Sequence, residues 1–103
     1  MPTNIAHLRK STNSAILSST TPLAANEARF SYHIQNLGTN PLFVKEGSGC
    51  STTDFTFILA PGTANDDGNG GFYENPINGC WTGAITIAGT SPRYVITERS
   101  ENN

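Results

Sequence analysis

Two segments of this chain alternate polar and apolar residues with a period of two, and that period decides what the chain can build. Arg29–Asn36 reads RFSYHIQN: Phe30, Tyr32 and Ile34 fall on one face, and Arg29, Ser31, His33 and Gln35 on the other. The stretch 81–89 reads WTGAITIAG, with Trp81, Ile85 and Ile87 opposed to Thr82, Ala84, Thr86 and Ala88. Successive side chains of a strand point to opposite faces, so both segments predict strands of a sheet with one buried face. Four more short segments, 41–46, 55–59, 71–74 and 93–98, complete a set of six. In the 55–59 segment, Phe55, Phe57 and Leu59 are expected to point one way.

The segments are separated by turn chemistry. Pro61-Gly62 combines a preset φ with a residue free to take φ > 0. The short connector Leu37-Gly38-Thr39-Asn40 predicts a hairpin between the first two strands, and Gly89-Thr90-Ser91-Pro92 predicts another between the last two. Helical segments do not alternate with the strands, which excludes a parallel α/β fold. The expected architecture is all-β: a small antiparallel β-sandwich or a jelly-roll-like barrel.

Residues 1–26 read differently. They are rich in Ser, Thr, Asn and Ala, with Pro2 and Pro22 near the ends and two apolar groupings, Ile5/Leu8 and Ala15-Ile16-Leu17. Neither periodicity is sustained, so an extended N-terminal arm is expected, with one short strand at 15–19. The β-sandwich domain would then span 27–99, followed by a polar C-terminal tail at 100–103. An arm of this length either lies along a neighbour, with Ile5, Leu8, Ile16 and Leu17 as the candidate partner contacts, or stays disordered.

A chain of 103 residues makes one domain. Charged residues make up 14% of it, against about 25% in average soluble domains. Ser, Thr and Asn fill the difference, giving a polar surface with little charge repulsion to hold neighbours apart. That favours packing against copies or a partner; an ordinary extracellular domain rich in Thr and Asn is the alternative. The net charge of −2 and the lack of any basic cluster beyond Arg9-Lys10 argue against direct nucleic-acid binding. No apolar run approaches the roughly 18 residues that a membrane span needs. The first ten residues lack the charged start and apolar centre of a signal peptide, so synthesis in a cytosol is expected. Cys50 and Cys80 are then expected to be free thiols; a bridge between them would close a loop of about thirty residues.

No motif announces chemistry. The loop Asn65-Asp66-Asp67-Gly68-Asn69-Gly70-Gly71 has the composition of a calcium loop, yet counting from Asp67 puts Asn78 where a bidentate Glu is required. Turn geometry explains the same residues. His33 sits on the polar face of its strand, His7 lies in the arm, and neither has a nucleophile in a known signature. The eight carboxylates are scattered, without the opposed pair of a glycosidase. Tyr73, Trp81 and Tyr94 are the candidate glycan contacts if a sugar-stacking platform exists. Trp81 shares a face with Ile85 and Ile87, however, and core packing is the reading its strand favours.

The run RFSYHIQNLGTNPLFVKEG (29–47), with ILAPG (58–62) and WTGAITIAGTSPRYVITE (81–98), resembles small β-sandwich structural proteins of tailed bacteriophages and related viruses. The shared layout is a first strand ending in I-x-N, a second ending near Gly, a Pro-Gly turn, a G-x-I strand and a closing strand with a terminal Glu. The resemblance implies a virion structural protein without catalytic, cofactor or metal residues. It would be a capsid decoration (cement) protein on the outer capsid surface, made in the host cytoplasm, that binds the major capsid protein and its own copies. The alternative it implies is a receptor- or glycan-binding module of a tail or fibre.

Overall fold

The computed structural model describes residues 9–13, 16–75 and 79–101, and these form two antiparallel sheets packed face to face. The seven strands are β1 (Arg9–Asn13), β2 (Arg29–Asn36), β3 (Leu42–Glu46), β4 (Phe57–Leu59), β5 (Phe72–Asn75), β6 (Ile85–Ala88) and β7 (Tyr94–Glu101). The larger sheet has the order β1-β7-β2-β5 and the smaller β4-β3-β6. The fold is an all-β sandwich, with no helix among the described residues.

Inward residues from both sheets make one core: Tyr32 and Ile34 of β2, Leu42 and Val44 of β3, Leu59 of β4, Ile85 and Ile87 of β6, and Tyr94 and Ile96 of β7. These are the alternating positions of their strands, as the period of two requires. Leu17, Leu23, Phe57, Tyr73 and Cys80 close the margins of this cluster.

Neither expected hairpin forms. β2 pairs with β5 and β7, while β3 pairs with β4 and β6, so the connectors at 37–40 and 89–92 each cross from one sheet to the other. Asn36 explains the first crossing. Its buried amide donates to the carbonyls of Asn40, Leu59 and Ala60 at 2.9, 3.1 and 3.2 Å, and its Oδ1 accepts from Gly38 N at 2.9 Å. One side chain thereby ties the end of β2 to the end of β4 in the opposite sheet. Gly70 lies against this residue so closely that a Cβ there would stand 2.0 Å from the Asn36 carbonyl oxygen, a position only glycine fills.

The alternation of β2 also breaks at its start. The pairing with β7 shifts between Arg29 and Ser31, a bulge that takes Phe30 out of phase with Tyr32 and Ile34. Arg29, expected on the polar face, is turned inward and its side chain is fully buried. Phe55 is likewise out of the expected phase: β4 begins at Phe57, and Phe55 packs against Phe43 rather than beneath the sheet.

The described part of the N-terminal stretch lies on its own sandwich. β1 pairs with β7 from Arg9↔Glu101 to Asn13↔Thr97, and Leu17 bridges Tyr94. Of the short strand expected at 15–19, the described residues 16–19 show only that bridge, and Ala15 lies outside the described residues. β1 escaped the sequence reading because RKSTN carries no apolar alternation; backbone pairing alone defines it. β7 runs on to Glu101.

Candidate interaction surface

The outer face of the smaller sheet carries an exposed apolar cluster. Phe43 of β3 stands opposite Ile58 of β4 and Ala88 of β6, and all three turn away from the core. Phe55 leans edge-on against Phe43 with ring centroids 5.1 Å apart. Ile58 is 48% exposed and Phe55 37%. Contiguous apolar surface left in water is uncommon on a soluble domain when it exceeds a few hundred Å².

The rim of this stripe is held by a loop. Ser51 and Asp54 exchange two backbone bonds of 2.9 and 3.2 Å, and the Asp54 carboxylate accepts from Lys45 Nζ at 2.7 Å. The same loop brings Cys50 N to Thr86 Oγ1 at 3.1 Å, and the Thr86 hydroxyl donates to Gly47 O at 2.8 Å. Residues 47–54 are thereby tied to Thr86 and Lys45 on the outer face, beside the stripe.

A second feature is an open cleft of about 560 Å³ at one end of the sandwich, where Leu17, Thr39, Asn40, Ser91 and Arg93 meet. Its floor is organised by the Asp-rich loop. Arg93 donates to both Asp66 oxygens at 2.8 and 2.6 Å and holds that carboxyl below the usual range. The Asp67 carboxylate accepts from the Thr63 hydroxyl and from the amides of Asn69, Ala64 and Thr63, and these bonds hold its pKa far down. The Asp67 carboxylate is thus turned onto its own loop, as the turn reading of 65–71 expects, whereas the Asp66 carboxylate reaches across to Arg93. Asp66 also takes a positive φ of 62°, which Asp tolerates better than most residues. Among the described residues, no three of His, Cys, Asp and Glu converge in a way that would hold a metal ion.

The structure disperses the other candidates. Tyr94 is fully buried and its hydroxyl meets Ser19; Tyr73 is half-buried between Tyr32 and Phe57; Trp81 alone of the three is exposed. They form no common platform, so the sugar-stacking arrangement is not present. Trp81 does not head a buried face either. β6 starts only at Ile85 because the carbonyls of Trp81 and Gly83 both accept from Arg29 Nη1, at 2.9 Å each, and bend the chain around that guanidinium. Of the partner contacts, Ile16 is exposed, Leu17 is packed on the core, and Ile5 and Leu8 lie outside the described residues, as does His7. His33 is half-buried beside Phe72, with ring centroids 5.7 Å apart. Cys50 and Cys80 are free thiols, and burial pushes both above their ordinary pKa.

Phe43, Phe55 and Ile58 were absent from the sequence candidates, although a signal existed. In LFVKE the core phase belongs to Leu42 and Val44, which leaves Phe43 with Lys45 on the outer phase; in FTFIL Ile58 is the odd residue between Phe57 and Leu59. In an antiparallel sheet with one solvated face the outer phase is ordinarily polar, so an apolar residue there stands out. Comparison with protein-family models, with curated proteins and with solved structures finds no match to this chain.

Proposed function

We propose that this chain is a non-enzymatic structural protein of a virion, a capsid decoration protein that binds the major capsid protein and copies of itself on the outside of the shell. One observation carries the reading: the stripe of half-buried Phe43 with exposed Phe55 and Ile58 on the outer face of a small, weakly charged sandwich. The mechanism is adhesive. Burying the stripe removes apolar surface from water at about 25 cal/mol per Å², and the Lys45–Asp54 pair at its edge aligns the contact. The layout of strands and turns that resembles phage sandwich proteins supports the same reading.

The test is to purify particles from a host carrying this chain and to measure its amount beside the major capsid protein. Copies in fixed proportion to the shell are expected, and Ile58→Asp should fold normally yet stay off the particle. Absence from particles, or a few copies confined to the tail, would overturn the shell assignment.

A further inference from the structure

β6 is the margin of the smaller sheet, and the chain's own N-terminal stretch covers it. The outward amides of β6 donate to that stretch: Ile85 N to Leu23 O at 3.0 Å and Ile87 N to Thr20 O at 2.8 Å. Leu17 exchanges both backbone bonds with Tyr94, at 2.8 and 3.1 Å, and the Tyr94 hydroxyl meets Ser19. Leu17 and Leu23 pack against the core, and Ala24 O accepts from the buried Arg29 at 2.8 Å. Upstream, β1 continues the pairing along β7. Residues 9–13 and 16–26 thus serve both sheets, the first as the outer strand of one and the second as a discontinuous fourth strand of the other.

These contacts are backbone pairings and apolar sockets that an identical segment from a second copy would fill equally well. Only the short reversal at Asn26 returns the segment to its own body: Asn26 Oδ1 accepts from Ala28 N and Asn26 O from Arg29 N, both at 3.0 Å. Drawn out as a strand, a segment of eighteen residues would reach about 60 Å, beyond the 49 Å length of the molecule.

We propose that residues 9–26 exchange between copies of this chain, each segment seating on β7 and β6 of the next copy. The occupant is a second copy because the site is already cast for this segment, with leucines at 17 and 23 and the Ser19 contact between them. The proposal rests on the reading that the protein assembles with itself.

The experiment mixes two differently tagged full-length chains and follows co-purification, with and without an excess of a synthetic peptide of residues 9–26. In parallel, a fluorescent version of the peptide is titrated onto the parent and onto the Leu23→Asp chain, whose own segment is loosened. Expected are mixed oligomers that the peptide dissolves, and saturable peptide binding at least tenfold tighter to Leu23→Asp than to the parent. The same peptide with aspartate at 17 and 23 should neither bind nor dissolve them. Mixed oligomers that the peptide leaves intact would overturn the exchange while leaving the adhesive reading in place. A strictly monomeric parent would overturn both. The competition on the parent chain decides the matter even if Leu23→Asp fails to fold.

Discussion

Trp81 shows how one side chain escapes the phase of its neighbours. Its indole N–H donates to Ala84 O at 2.9 Å, its backbone N–H donates to Asn75 Oδ1 at 2.8 Å, and its ring lies over Gly83. A Cβ on Gly83 would stand 2.6 Å from the ring, so the two residues fit only as a pair. Emptying a buried aromatic site costs about 3–5 kcal/mol; Trp81 is 37% exposed and makes one side-chain hydrogen bond. Trp81→Ala should therefore destabilise by about 1–2 kcal/mol, more than a neutral surface change and less than a core deletion. Urea unfolding monitored by circular dichroism measures this, and a loss above about 3 kcal/mol would mean that the ring is core after all. The period of two was sound for Ile85 and Ile87. It failed at Trp81 because Arg29, fifty-two positions away, claims the carbonyls that a strand would need.

That arginine belongs to the scale of elements. Arg29 begins β2, reaches Glu98 on β7 at 2.8 Å, and donates to carbonyls of the 81–84 segment and of Ala24. Three parts of the chain meet on one guanidinium, with a single carboxylate to balance its charge. Breaking a fully buried ion pair costs about 3–5 kcal/mol. Here Glu98 is slightly exposed and the carbonyls remain, so Glu98→Ala should cost about 2–3 kcal/mol, read from the shift in denaturation midpoint at unchanged slope. A change below about 0.5 kcal/mol would show that the carbonyls alone hold the arginine.

The existence of six of the seven strands was legible in the sequence, because alternation is local and each of the six expected segments overlaps a strand; β1, without apolar alternation, was not. Partnership was not. The turns at 37–40 and 89–92 have hairpin composition, and only the long-range bonds of Asn36 to β4 show why the first crosses between sheets. The stripe was half legible, in the out-of-phase Phe43 and Ile58. Arg29 was not legible at all, since a one-residue bulge at Phe30 reverses the faces before it.

At the scale of the whole molecule, the two sheets are pinned together by tyrosine hydroxyls as well as by aliphatic packing. Tyr32 of β2 donates to Glu46 of β3 at 2.6 Å, and Tyr94 of β7 meets Ser19. Burial raises both phenols above their ordinary value, and the Glu46 hydrogen bond raises Tyr32 further. In the unfolded chain a tyrosine ionises near pH 10. A group whose folded pKa is raised contributes stability that is full below the unfolded value and is lost as pH rises toward the folded one. The two half-buried thiols, raised in the same sense, begin to draw stability down near their unfolded value of about 8.5; the tyrosines add a steeper fall in melting temperature from about pH 10 upward, which should be shallower in Tyr32→Phe. A level profile through pH 11 would contradict the coupling.

The position of β7 has a consequence for how the protein comes into being. This strand lies between β1 and β2 in the larger sheet, yet it is the last strand of the chain. While the ribosome is still making the preceding residues, β1 and β2 have no strand between them, and only β2–β5 and the smaller sheet have partners to pair with. The larger sheet closes after β7 emerges, in a late step dominated by contacts distant along the chain, the kind that folds in milliseconds to seconds rather than microseconds. Until then the nascent segment 9–26 lacks half of its seat, and in a crowded polysome the first complete β7 it meets need not be its own.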